Sequence, residues 1–304
     1  MDALAIDRSA PPEGPEASLE HEDELAPGRR AVELLGGGPS HEAFLCWDDH
    51  LHALVVAKAL RPERADDRAA LSSLAMEGQL LRRLNHPVIP RLFDAAFREA
   101  RPHLLLEFLE GPRLSTLIRR YGWLPVEQVL PLAVHLTSAL HYLHAEGVVH
   151  LDLKPKNVIM AAPPRLIDLS IAATVERAAR MRSARGTDPY MPPEQCDPAG
   201  LGPITPAADA WGLGVSLYEA LTGERPFARG SEDADGVERW PQLAAEPAPL
   251  PRRVPGMVGE PVMACLRRDA GQRPTATELA GVFAELTDRL PKYPQIGRLR
   301  PRSR

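Results

Sequence analysis

The stretch His150-Leu151-Asp152-Leu153-Lys154-Pro155-Lys156-Asn157 decides the fold, and a further acid, Asp168, follows its last residue by eleven positions inside the apolar run Leu166-Ile167-Asp168-Leu169. Each polar residue has an ordinary explanation on its own, because a lone Asp commonly caps a helix or starts a turn and Lys-Pro commonly lies in a loop. Together, two carboxylates, an ammonium group and an amide at fixed spacing indicate one polar site.

This pattern resembles the catalytic loop and the metal-binding acid of protein kinases, in particular the bacterial, eukaryotic-like (Hanks-type) serine/threonine kinases. Phosphoryl transfer needs positioning and charge neutralisation more than covalent chemistry, so a few well-spaced residues suffice. The resemblance implies that Asp152 orients the substrate hydroxyl and accepts its proton, and that Lys154 steadies the transferred phosphate. It also implies that Asn157 and Asp168 hold Mg2+.

Length and composition suit a two-lobed enzyme, because 304 residues with 44% hydrophobic content can bury one large core or two small ones. We predict an α+β, protein kinase-like fold. Residues 29–110 form a β-rich N-lobe with one main helix, and residues 111–290 form a mostly α-helical C-lobe. The acidic, Pro-rich residues 1–28 and the basic residues 291–304 are predicted to be disordered tails.

Charge and hydropathy exclude several classes of protein. The region between the tails has a small net charge, which argues against a nucleic-acid surface. No apolar run reaches membrane-spanning length and the N-terminus lacks the pattern of a secretory signal, so we expect no integral membrane segment and a cytoplasmic location. A regulatory partner could act through the tails. Three cysteines without metal-ligand spacing fit reduced thiols with no assigned role, namely Cys46, Cys196 and Cys265.

Lysine is scarce, and the position of Lys58 is therefore informative. Lys58 lies in the β-branched run Leu54–Leu60, which predicts a strand. It resembles the kinase lysine that binds the α- and β-phosphates of ATP and pairs with a helix glutamate, for which Glu77 is the candidate. The alternatives are a solubilising residue on an edge strand and a solvated helix charge.

The predicted phosphate-covering loop keeps only part of the family pattern. Gly36 and Gly38 match two family glycines, but His41 replaces the third, and Ala43 replaces the expected Val. Glycine lets backbone amides approach phosphate, so these changes are expected to alter nucleotide binding or loop closure.

The resemblance also implies an adenine pocket. Leu106 would line its back, and the backbones of Glu107 and Leu109 would bind the base. An apolar slot around the adenine ring would be formed by Ala43, Val56 and Ile159. Each of these residues is equally explained as ordinary core.

Residues 170–194 resemble an activation segment, which indicates a protein substrate. Glu194 is predicted to pair with Arg273 and anchor this segment. Asp209 is predicted to hold the backbone of the catalytic loop from a core helix, or alternatively to cap that helix. Lys154 and Thr187 match members that act on Ser and Thr.

Two departures from the family concern regulation. Leu151 replaces the arginine that receives the phosphate of a modified activation loop, so activity should not depend strongly on loop phosphorylation. Ser170 replaces a glycine after Asp168, which should restrict backbone switching there. Autophosphorylation sites remain possible at Thr174, Ser183 and Thr187.

The predicted function is ATP- and Mg2+-dependent transfer of the γ-phosphate to Ser/Thr hydroxyls of protein substrates. Two alternatives stay open at this point. The chain could be a catalytically weak pseudokinase that acts as a nucleotide-binding scaffold, or it could phosphorylate a small molecule.

Overall fold

The computed structural model describes residues 19–290, which divide into two compact units, one ending at Gly111 and the other starting at Pro112. The predicted boundary lies one residue earlier, after residue 110. The predicted basic tail, residues 291–304, and residues 1–18 of the predicted acidic tail lie outside the described residues.

The described part of the first unit contains one antiparallel sheet. Its strands are β1 (Glu24–Ala26), β2 (Arg29–Gly37), β3 (His41–Asp48), β4 (Ala53–Leu60), β5 (Leu92–Ala96) and β6 (His103–Glu107), and their spatial order is β1-β2-β3-β4-β6-β5. Successive side chains of a strand point to opposite faces, so Val55, Ala57 and Ala59 of β4 share one face. This face is buried with Phe44 and Leu105 in the core of the unit.

Helix α1 (Arg68–Arg83) packs on β4, β5 and β6. Asp67 caps it by accepting hydrogen bonds from the backbone N–H groups of Ala69 and Ala70. Leu74 and Leu81 are buried on its inner side, and Glu77 is buried with them. The helix therefore carries a carboxylate into the interior of the first unit.

Strand β1 lies within residues 1–28, the range predicted to be a disordered acidic tail. Leu25 and Ala26 are buried, and β1 pairs with β2. The prediction of disorder is wrong for residues 24–26, because Leu25 packs in the core of the first unit and the backbone of the three residues joins the sheet.

The described part of the second unit is mostly helical. Its helices are α2 (Leu114–Tyr121), α3 (Val126–Ala145), α4 (Val175–Ala179), α5 (Pro193–Cys196), α6 (Ala207–Thr222), α7 (Gly236–Arg239), α8 (Gly256–Cys265) and α9 (Ala276–Asp288). Two short strand pairs accompany them, β7 (Val148–Val149) with β10 (Ala173–Thr174) and β8 (Val158–Ile159) with β9 (Arg165–Leu166). Helix α3 packs against α6 and α9, and nearly every side chain of α6 is buried, as expected of a core helix. The predicted fold class is confirmed.

No helix within residues 19–290 combines the length and the hydropathy that are needed to cross a bilayer. The three cysteines are buried and unpaired with one another. Burial raises the pKa of the Cys46 thiol to about 11 and that of Cys265 to about 12, so both stay protonated near neutral pH.

Candidate active site

Asp152 lies in the loop between β7 and β8, in a dense polar network. Its Oδ2 accepts a hydrogen bond from Lys154 Nζ at 2.6 Å and one from Asn157 Nδ2 at 3.1 Å. Its Oδ1 accepts a hydrogen bond from the Thr187 hydroxyl at 2.8 Å, and Lys154 Nζ also donates to Thr187 Oγ1 at 2.6 Å. A carboxylate offers about four acceptor sites, so this arrangement leaves room for one further donor, such as a substrate hydroxyl.

Thr187 is the residue whose role the sequence reasoning missed. The sequence indicates a possible phosphorylation site and a match to Ser/Thr-directed kinases at this position, and the Thr187 hydroxyl also bridges Asp152 and Lys154. A phosphoryl group on Thr187 would replace the donated proton with negative charge beside a carboxylate. The match of Thr187 to Ser/Thr-directed kinases is the signal in the sequence that could have placed Thr187 in the site.

Asn157 and Asp168 are brought to the same end of the β8–β9 pair. Val158 pairs with Leu166, and Ile167 N–H donates to the carbonyl of Asn157 at 2.8 Å. The Nδ2 of Asn157 donates to the backbone carbonyl of Asp152 at 3.0 Å, which points the amide nitrogen inward and leaves the amide oxygen as the ligand atom. An amide oxygen and a carboxylate are hard donors of the kind that Mg2+ binds, so these residues fit the predicted metal.

The backbone is strained at two positions of this site. Leu151 has φ of 67° and Asp168 has φ of 71°, a region that non-glycine residues seldom occupy. Such strain persists only where the surroundings fix it. Asp209 of α6 provides this for Leu151, because its carboxylate accepts the backbone N–H groups of His150 and Leu151, each at 2.8 Å.

Asp209 thus contacts the catalytic loop, as one of the two interpretations of the sequence proposed. It is fully buried in α6, and its Oδ2 also lies 2.9 Å from His144 Nε2. Burial disfavours the ionised form, but the contacts with His144 and His150 outweigh it, so the pKa of the Asp209 carboxyl lies below its ordinary value.

The end of the activation segment is anchored by an ion pair. Arg273 donates to Glu194 Oε1 at 2.6 Å and to Oε2 at 2.8 Å, and both residues are buried. This is the pairing that the sequence analysis predicted, and its bidentate geometry fixes the orientation of α5 as well as its position.

In the first unit, Lys58 Nζ donates to both oxygens of Glu77, at 2.8 Å and 2.7 Å. Lys58 projects from β4 and Glu77 from α1, so the pair ties the helix to the sheet. The side chain of Glu77 is 2% exposed and that of Lys58 is 13% exposed, which places the ammonium at the edge of the buried region. The alternative of a solvated Glu77 is therefore excluded.

Strand register places four predicted nucleotide contacts on one face of the sheet. Ala43 pairs with Lys58, and Val56 pairs with Leu106. Paired residues and residues two apart share a face, so this face is opposite to the one buried in the core. All four side chains are half-buried, which leaves an apolar surface with one ammonium group.

Three predicted nucleotide contacts remain. Glu107 and Leu109 belong to the first unit, and Ile159 belongs to the second. The backbone N–H of Glu107 donates to the carbonyl of Arg91 at 2.9 Å, and Leu109 follows β6 outside any strand. Ile159 pairs with Arg165 in the β8–β9 pair.

The glycine loop joins β2 to β3. Gly36 has φ of 137°, and the N–H of Gly38 donates to the carbonyl of His41 at 2.8 Å, which closes the turn. Arg61, the residue after β4, donates from Nε to the Gly38 carbonyl at 2.8 Å. The loop that lacks a third glycine is thus held at its tip by a side chain.

Comparison with known proteins agrees with this arrangement. Residues 29–282 match the family model described as the protein kinase domain. The serine/threonine-protein kinase PkaA of Streptomyces coelicolor is 34% identical over 234 residues, covering 74% of this chain and 42% of that protein. The probable serine/threonine-protein kinase PkwA of Thermomonospora curvata is 33% identical over 261 residues, covering 83% of this chain and 34% of that protein.

A third relative, the serine/threonine-protein kinase PknB of Mycobacterium leprae, is 30% identical over 204 residues, covering 64% of this chain and 32% of that protein. The chain spans less than half the length of each of these relatives. The family model, however, covers most of the chain. The resemblance found in the sequence is therefore confirmed, and the chain belongs to the protein kinase family, with bacterial eukaryotic-like serine/threonine kinases as its relatives.

Proposed function

We propose that this protein transfers the γ-phosphate of ATP, with Mg2+, to Ser and Thr hydroxyls of protein substrates. The observation that carries the proposal is the network in which Lys154, Asn157 and Thr187 all contact the Asp152 carboxylate. Three donors fix the carboxylate in one orientation before any substrate arrives, and pre-organisation of this kind is what phosphoryl transfer requires.

In the proposed step, the substrate hydroxyl hydrogen-bonds to Asp152 and its oxygen forms a bond to the γ-phosphorus. The bond between the γ-phosphorus and the bridging oxygen breaks, and the electron pair leaves with ADP. The hydroxyl proton passes to Asp152. Lys154 supplies positive charge next to the transferred group, where charge accumulates in the transition state.

The remaining polar residues and one apolar face would hold the nucleotide and its metal ion. Lys58, oriented by Glu77, would bind phosphate oxygens from the first unit. Asn157 and Asp168 would hold Mg2+, which when bound neutralises negative charge on the phosphates. Ala43, Val56 and Leu106 present the apolar face that adenine would cover.

Protein substrates are supported by the activation segment, residues 170–194. Its end is anchored by the pair of Glu194 and Arg273, and the relatives named above are serine/threonine-protein kinases. We further propose that the protein acts in the cytoplasm and that regulatory partners bind its tails.

Transfer of radiolabelled phosphate from ATP to a mixture of Ser/Thr peptides tests this function. We expect Asp152→Asn to reduce transfer by at least about a hundredfold, since the general base and its orientation are both lost. Asp233→Asn, which changes an exposed acid outside the network, is the matched control and should leave transfer intact.

Equal and negligible transfer by the wild type and Asp152→Asn, with nucleotide still bound, would overturn the proposal in favour of a scaffold. Adding a mixture of small-molecule alcohols to the same assay separates the substrate classes. Transfer to a small molecule without transfer to any Ser/Thr peptide would contradict a protein substrate.

A further inference from the structure

Gln195 of α5 connects the activation segment to the catalytic loop. It is 1% exposed, and its Nε2 donates to the backbone carbonyl of Leu151 at 2.8 Å and to that of Arg185 at 2.5 Å. A carboxamide nitrogen carries two hydrogens, so both of its donors are used. One buried side chain therefore holds two segments that are 34 positions apart in the chain.

The contact with Leu151 acts on the peptide plane that leads into Asp152. The carbonyl of this plane accepts from Gln195, and its N–H, which belongs to Asp152, donates to His150 Nδ1 at 3.2 Å. The preceding N–H of Leu151 is held by Asp209. Because Leu151 has a strained φ, these contacts fix the backbone direction from which the Asp152 side chain extends.

The contact with Arg185 depends on Gly186. This glycine has φ of 148°, and a Cβ built on it would lie 2.6 Å from Gln195 Nε2. Any larger residue would displace the amide from the space that it needs. The sequence thus leaves room at residue 186 for the side chain of Gln195.

Within the described residues, the side chain of Leu151 packs among apolar neighbours. Leu151 is buried in an apolar cluster with Val149, Ala173 and Ala178, so the position where the family resemblance expects a phosphate-binding arginine is hydrophobic. A neutral amide, whose hydrogen bonds need no modification of the chain, joins the two segments instead.

We propose that Gln195 is a positioning residue, which sets the orientation of Asp152 and fixes the activation segment at Arg185 without phosphorylation. This inference rests on the proposed phosphoryl transfer. It assigns to Gln195 a role that depends on its two N–H donors and not on its volume.

Gln195→Met tests the role of the donors, because methionine has nearly the same length and no N–H group. We expect kcat for peptide phosphorylation to fall about tenfold or more, with KM for ATP within about twofold, since small displacements of a catalytic group cost rate more than binding. Gln195→Glu should lower kcat further, because it places a carboxylate against two carbonyl oxygens. Gln272→Met, at an exposed glutamine, is the matched control. Unchanged kcat in Gln195→Met would overturn the proposal.

Trypsin cleavage gives a second measurement that does not need activity. Arg185 is exposed, but its carbonyl is held by Gln195. We expect cleavage of the Arg185–Gly186 bond to accelerate in Gln195→Met relative to cleavage after Arg229, an exposed arginine in another loop. An unchanged ratio would contradict the connection.

The wild type alone provides a third measurement, which covers the case that the variants do not fold. In 15N-labelled protein, both Nε2 hydrogens of Gln195 should exchange with solvent much more slowly than those of the exposed Gln79. Equal exchange would overturn the proposal. If the wild type transfers no phosphate, the proposed function fails, whereas proteolysis and exchange still decide the role of Gln195.

Discussion

At the scale of single residues, Arg273 shows how one side chain can organise a helical unit. Its Nε donates to the carbonyl of Arg267, and its two terminal nitrogens donate to Glu194 and to the carbonyls of Ala207 and Arg268. All five N–H donors of the guanidinium are therefore used. The guanidinium also stacks over Trp211, with its central carbon 4.9 Å from the ring centroid.

Arg273→Lys should destabilise the protein by about 3 kcal/mol or more, although it keeps the charge. An ammonium group has three donors and cannot form the bidentate pair with Glu194, so buried acceptors lose their partners. Urea unfolding of the variant and the wild type measures the difference. The exposed Arg229→Lys serves as control, and similar stability of all three proteins would contradict the assignment.

Asp209 makes a pH-dependent contribution to stability. The pKa of its carboxyl in the folded protein lies below the ordinary value of 3.8. The ionised group therefore stabilises the fold at any pH above 3.8, and this stabilisation is lost as the pH falls through the folded-state pKa.

We expect Asp209→Asn to cost about 3 kcal/mol near neutral pH, because it weakens hydrogen bonds to the loop N–H groups and to His144. The cost should shrink below pH 3.8, where the wild type also loses its charge. Denaturant unfolding at several pH values measures the difference, and a cost that grows on acidification would contradict the stated direction.

At the scale of elements, Gly36 and Gly38 of the turn between β2 and β3 differ in structure, although both match glycines of the family pattern. Gly36 has a positive φ, whereas a Cβ on Gly38 would meet no atom within 4 Å. We expect Gly36→Ala to lower the free energy of unfolding by about 1 to 2 kcal/mol and Gly38→Ala to change it by less than about 0.5 kcal/mol. Thermal melting compares the two variants, and the reverse order would show that the turn is held differently.

The activation segment is held by contacts that need no phosphate. Ala173 and Ala178 pack in the apolar cluster around Leu151, and Gln195 holds Arg185. We expect phosphatase treatment to change the rate of peptide phosphorylation by no more than about twofold. Residue 151 is leucine, so the arginine that would bind an added phosphate is missing. Turnover before and after treatment, with removal of phosphate verified by mass, decides the matter. A large fall would refute the expectation.

At the scale of the whole molecule, nucleotide binding should stabilise the fold. A ligand at about a hundred times its Kd adds about 2.7 kcal/mol to the stability of the native state. We therefore expect ATP with Mg2+ to raise the Tm by about 5 °C or more in the wild type.

The same rise in Tm should be much smaller in Lys58→Met and in Asp168→Asn, since these variants remove the proposed ligands of phosphate and of metal. Asp233→Asn should keep the full rise. Differential scanning fluorimetry with and without nucleotide gives the values, and equal shifts in all four proteins would contradict the assignment of the nucleotide site.

Much of this architecture could be predicted from the sequence. Strand β4 lies where the apolar run Leu54–Leu60 predicts it. The pairing of Lys58 with Glu77 followed from the resemblance to the kinase pattern. Strand β1 was missed because three residues in an acidic stretch carry little periodic signal. The contacts of Thr187 and Gln195 join residues far apart in sequence, and no local pattern encodes which hydroxyl or amide will meet which acceptor.

The strained peptide before Asp152 has a consequence for how mutations of this protein would be interpreted. Gln195 of α5 binds the carbonyl of Leu151, and Asp209 of α6 binds its N–H group. Two buried helices therefore control the orientation of the Asp152 carboxylate. A library screened for catalytic output should therefore lose members with substitutions at Gln195 or Asp209 in addition to those with substitutions in the loop itself. Many of those members would still retain nucleotide, and a binding screen alone would pass them as intact.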